Sequence, residues 1–133
     1  MRHVLIILGV IGITAILQSN VMIPNNNDAN NIRKSKIEMP ADVKAVVDKS
    51  CFGCHHKESQ NEKGRTKLSW DGLDDLSKAK QVAAMEAIIG VIKEDVMPPK
   101  KFKENYPDNV PSKDELKKVS DWANAQADKI LGE

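Results

Sequence analysis

Residues 51 to 55 read Cys-Phe-Gly-Cys-His, and they contain both cysteines of the chain. No other feature restricts the fold as much. A single close pair cannot make a disulfide-rich scaffold. The 133 residues must therefore be ordered by a core or by something the pair binds. The core on offer is thin. Phe52, Phe102, Trp70, Trp122 and Tyr106 are all the aromatic residues, and a domain of about 90 residues with so few large rings buries little apolar surface. The length suits one domain. Lys and Arg total 20 and Asp and Glu total 19. This balance argues against a protein that coats nucleic acid, which needs a net basic surface.

The spacing has a chemical reading. C-x-x-C-H is the attachment sequence for a c-type haem. On a helix, positions i, i+3 and i+4 share one face, so Cys51, Cys54 and His55 point the same way. The two sulfurs then bond the two vinyl groups of one haem, and the imidazole reaches the iron from the same side. Two other chemistries use such residues. One is a Cys51–Cys54 disulfide or thioredoxin-like redox pair, although no βαβ pattern surrounds it. The other is a zinc site built on Cys51, Cys54 and His55 or His56, although no second ligand pair follows downstream.

A haem iron held by His55 has a second axial position. Met97 is the candidate for it, in Val96-Met97-Pro98-Pro99. Pro98 biases Met97 away from helical geometry, and both prolines fix φ and lack an N–H. A stiff loop of this kind holds a thioether, a soft ligand that favours ferrous iron, without a helix around it. Met85 sits on an apolar stripe and reads as core. Met22 and Met39 fall in or near the tether. His56 reads as a solvent-facing neighbour of the proximal ligand. Trp70 is placed either to pack in the core or to donate its indole N–H to a haem propionate, and Trp122 either to pack in the core or to lie near the haem. Lys100, Lys101 and Lys103 follow the Met97 loop, where they either steer an acidic redox partner or form a solvated loop.

The N-terminus has the layout of an export segment. Arg2 and His3 precede Val4 to Leu17, a run apolar apart from Thr14 and two glycines. The run is shorter than the roughly 20 residues of a spanning helix, which favours a cleaved signal. Against cleavage, no Ala-x-Ala pattern follows, and Val21-Met22-Ile23 extends the apolar stretch. Residues 1–23 are thus a signal peptide or a membrane anchor. Either leaves the rest outside the cytoplasm, in the periplasm, soluble after cleavage or tethered to the membrane through residues 4–23. Residues 24–39 read as an Asn-rich flexible linker, with six asparagines between Asn20 and Asn31. Residues 40–133 remain for the haem domain.

That domain reads as all-α. The pattern predicts a first helix from about Pro40 to Cys54, carrying Ala41, Val43, Ala45, Val46 and Val47. Trp70, Leu73 and Leu76 mark a short helix. Ser77 caps a third, with Val82, Met85, Ile88, Ile89 and Ile92 at helical spacing, ending before Pro98. Ser112-Lys113-Asp114-Glu115 fits a capping box. Leu116, Val119, Trp122, Ala123, Ala127, Ile130 and Leu131 then line a buried face up to a stop at Gly132. No run alternates like a strand, and there is no solenoid-length repeat.

With these residues in view, the chain resembles the small exported monohaem c-type cytochromes of class I, and more closely the bacterial "haem-binding domain" family. The motif at 51–55 is followed by Trp70-Asp71-Gly72-Leu73, by Leu76-Ser77-Lys78-Ala79-Lys80-Gln81-Val82, by Met97-Pro98-Pro99, by the Lys101-Phe102 and Tyr106-Pro107 region, and by Trp122 on the last helix. The resemblance covers roughly residues 40 to 131. The Asn- and Lys-rich tail departs from the family's usual linker. The resemblance implies a class I cytochrome c-like fold, with about three to five helices wrapped around one haem. It further implies one haem c held covalently through Cys51 and Cys54, His55 and Met97 as iron ligands, and electron transfer between redox protein partners instead of catalysis. The alternative is a haem with an open or labile sixth position, acting as a gas-binding sensor or a peroxidase-like enzyme.

Overall fold

A computed structural model describes residues 35–132. The export segment expected over 1–23 and most of the linker expected over 24–39 lie outside the described residues. Among the described residues there are five α-helices and two 3₁₀ stretches, and no strand: α1 Ala41–Ser50, α2 Glu62–Lys67, a 3₁₀ stretch Trp70–Asp75, α3 Lys78–Lys93, α4 Lys100–Asn105, a 3₁₀ stretch Pro107–Asn109 and α5 Lys113–Gly132. The all-α expectation holds.

The longest helix organises the rest. α5 starts at a reciprocal capping box. The Ser112 N–H donates to Glu115 Oε2 at 2.7 Å, and the Glu115 N–H donates to Ser112 Oγ at 3.2 Å, so two N–H groups that the helix end would orphan are satisfied. Val119, Trp122, Ala123, Ala127 and Ile130 are buried along one stripe. Leu116 is half-buried. Leu131, expected on the same stripe, is 71% exposed. One residue past Ile130, it is turned about 100° from that stripe.

α5 packs chiefly on α3 and also on α1. The contact stripe of α3 is Gln81, Met85 and Ile88, with Val82, Ile89 and Ile92 against the core edge. Met85 and Ala123 have no exposed surface. Ser77 stands at the cap position of α3, but its side chain makes no capping bond. Val43, Val46 and Val47 of α1 complete the core with Trp70 and Leu73.

Two differences from the expected elements bear on function. α1 stops at Ser50 and does not run on to Cys54. The Cys51 N–H makes the usual i−4 bond to Val47 O at 2.9 Å, but the Phe52 N–H returns to the same oxygen at 2.8 Å, and the chain leaves the helical path there. Gly53 follows, a residue about 1 kcal/mol less favourable than Ala inside a helix. The second difference lies before α1. Residues 35–39 are packed onto the domain, although they read as linker. Gln81 is fully buried. It accepts the Ser35 N–H at 3.1 Å and donates to the Ser35 carbonyl at 2.6 Å and to the Leu73 carbonyl at 3.1 Å. Ile37 and Met39 pack against the core, and the Trp122 indole N–H donates to Glu38 O at 2.9 Å. Met39 is therefore a packing residue.

Candidate functional site

The 51–55 motif forms a turn of its own directly after α1. The N–H groups of Cys54 and His55 both reach the Cys51 carbonyl, at 3.1 Å each. The His55 bond spans i to i−4, so the shared face expected of a helix is kept across one turn. Cys51 and Cys54 carry free thiols. Burial pushes the Cys51 thiol up to about 11, with the neighbouring Cys54 adding to the effect. A thiol this weakly acidic is protonated at neutral pH, the reverse of what a dithiol redox pair needs in its nucleophile.

His55 is held by backbone. Its Nδ1 lies 2.9 Å from the Gly64 carbonyl and 3.3 Å from the Leu68 carbonyl. A carbonyl only accepts, so the proton of the neutral imidazole sits on Nδ1, and Nε2 is then the nitrogen with the lone pair. The main chain of His55 is tied as well, its carbonyl accepting the Trp70 N–H at 3.0 Å.

Three residues that the sequence did not single out make this arrangement. Ser59 is buried, and its hydroxyl donates to the Gly53 carbonyl at 3.0 Å while accepting the Asn61 N–H at 3.2 Å. The Asn61 side chain caps α2 by accepting the Gly64 N–H at 2.9 Å. Gly64 lies against the motif so closely that a Cβ there would sit 2.2 Å from the Cys54 carbonyl oxygen. Only glycine fits. α2 reads Glu-Lys-Gly-Arg-Thr-Lys and has no apolar residue to betray it. The Asn61-x-x-Gly64 spacing of its cap was the available signal.

A cleft of about 360 Å³ opens next to Leu68, and His55, Cys51, Cys54 and Trp70 are not among its lining residues. Leu68, whose carbonyl touches the imidazole, forms part of one wall together with Leu76. Ala83, Ala84 and Ala87 of α3 form part of another, and Arg65, Lys67 and Lys80 also border the opening. α3 thus has two apolar faces. From Val82 to Ile92 its only polar side chain is Glu86. One face is covered by α5, and the alanine face looks into the cleft. A helix that is apolar nearly all round is normally buried all round.

Trp70 is buried and tilted against Trp122, ring centroids 6.1 Å apart. Trp122 has its indole N–H satisfied by Glu38 and belongs to the core. The Trp70 Nε1–H is buried and has no hydrogen-bond partner among the described residues. Buried indole N–H groups ordinarily find an acceptor.

Met97 follows the end of α3. It lies beyond Asp95, a non-glycine residue with φ of 53°. The N–H groups of Val96 and Met97 turn back to Val91 O at 3.1 and 3.4 Å. Its side chain is 38% exposed and is not among those lining the cleft. The remaining candidates behave differently from expectation in detail. His56 stacks on Phe52 at 5.0 Å and is half-buried, so it does not stand free in solvent. Lys103 pairs with Asp95 at 2.7 Å and Lys100 with Glu104 at 3.7 Å, which leaves less free positive charge after the Met97 loop than three lysines suggest.

Among the described residues, no cluster of three or more His, Cys, Asp or Glu side chains is arranged to hold a metal ion. Nor is any helix among them long and apolar enough to cross a membrane. Compared with models of protein families, with curated proteins and with solved structures, the chain matches none of them.

Proposed function

We propose that this chain is an exported electron carrier of class I cytochrome c type, built around one covalently attached haem c. The observation that carries the reading is the state of His55. Two thiols and an imidazole share one turn, and the imidazole's Nδ1–H is committed to Gly64 O, which leaves Nε2 as a ligand. Two further features fit the same group. The orphaned Trp70 N–H wants a buried acceptor, and a propionate supplies one. The alanine face of α3 with Leu68 and Leu76 wants an apolar cover, and a porphyrin face is one.

In this reading Cys51 and Cys54 would hold the haem through thioethers, and His55 and Met97 would be the iron's ligands. The iron, when present, supplies a one-electron ferric/ferrous couple. The protein's own residues do the rest. The turn at 51–55 orients the attachment atoms, Gly64 fixes the imidazole, and the apolar walls exclude water. Partners are redox proteins, and the domain works outside the cytoplasm. The exposure of Met97 favours one alternative, a haem whose sixth position is open or labile and which binds gases or reacts with peroxide.

Replacing both cysteines, Cys51→Ser with Cys54→Ser, tests the attachment. Haem staining after denaturing electrophoresis is expected for the native protein and absent from the double variant. Staining that persists in the variant contradicts the site.

A further inference from the structure

The segment from Ser59 to Gly64 does more than connect the motif to the 3₁₀ stretch. Ser59 is 2% exposed, and its hydroxyl bridges the Gly53 carbonyl, inside the motif, to the Asn61 N–H. Its own carbonyl is held by Arg65 Nη1 at 3.1 Å. Asn61 then fixes the Gly64 N–H, and Gly64 presents its carbonyl to His55. That same carbonyl also accepts the Leu68 N–H at 3.0 Å, so it is pinned from two sides. The chain thus runs from the motif backbone at Gly53 to the Gly64 carbonyl that holds the imidazole.

We infer that Ser59, Asn61 and Gly64 form a positioning lock that sets the orientation and tautomer of His55, with Gly64 the one residue type the lock admits. This rests on the reading of His55 as the proximal iron ligand. A hydrogen bond from Nδ1–H to a carbonyl raises the electron density at Nε2 and makes it a stronger donor to iron. A stronger donor stabilises the ferric state, so the lock lowers the reduction potential. Gly64→Ala puts a Cβ 2.2 Å from the Cys54 oxygen and must move α2 away from the motif. Asn61→Ala removes only the side chain that fixes the Gly64 N–H. Asn61→Ser retains a capping oxygen.

The test uses the haem-loaded protein, with the midpoint potential and the exchange rate of the His55 Nδ1–H in the ferrous state as readouts. Asn61→Ala raises the potential and speeds exchange several-fold, Gly64→Ala does so more strongly, and Asn61→Ser returns both toward the native values. If Gly64→Ala does not fold, the Asn61 pair decides alone. Native potential and native exchange in Asn61→Ala overturn the lock while leaving the haem reading intact. A native protein that carries no covalent haem overturns both.

Discussion

An indole N–H buried without an acceptor costs about 1–3 kcal/mol, and Trp70 bears that cost among the described residues. A propionate bound there would remove it. Trp70→Phe should therefore destabilise the haem-loaded protein by about 1 kcal/mol more than the haem-free protein. Thermal unfolding of both forms measures the difference, and equal losses in the two forms count against the propionate role. Met97 is the other residue to test singly. A thioether bound to ferric iron gives a weak far-red absorption band, expected in the native protein and lost in Met97→Ala. Rapid carbon monoxide binding by a native protein that lacks the band supports the open-position alternative. At this scale the sequence was informative wherever chemistry depends on residue type alone. Cys51, Cys54 and His55 are found together on one turn. Gly64 was not legible, because its importance lies in a close approach of two backbones, and nothing in the neighbouring residue types reports a distance.

Elements were legible in proportion to their apolar period. α3 and α5 have long stripes and occur where the pattern puts them, and the capping box of α5 forms as its spacing requires. α2, with no apolar residue, offered only its Asn61 cap, and α1 ends short of Cys54 because the Phe52 N–H turns back to Val47 O. The start of α5 also carries a pH dependence. Glu115 lies 2.7 Å from Lys49 Nζ, and the hydrogen bond from Lys49, then the bond from the Ser112 backbone, hold its carboxyl down to about 2 from an ordinary 4.5. A lowered carboxylate stabilises the fold fully above 4.5, and that contribution is lost as pH falls from 4.5 toward 2. Glu115→Gln keeps an oxygen for the cap and removes the charge. The melting-temperature gap between native and variant protein should shrink as pH falls through that window. A gap that stays constant down to pH 2 contradicts the assignment.

For the whole molecule, a core short of aromatic rings and a helix with two apolar faces are the same fact seen twice. α5 covers one face of α3, and the alanine face borders the cleft that Leu68 and Leu76 also line. The chain by itself supplies no large ring for that wall. The packing of residues 35–39 is not legible in their Asn-rich surroundings, because the segment is held by Gln81 on Ser35 and by Trp122 on Glu38, partners far along the chain. The central proposal is that a porphyrin completes the structure. Mass spectrometry of the denatured protein, made in a host able to attach haem c, measures this most directly. The prediction is a mass equal to the polypeptide plus one haem, with the added mass on the peptide containing Cys51 and Cys54. A polypeptide mass alone, from a host that loads a control cytochrome, contradicts it.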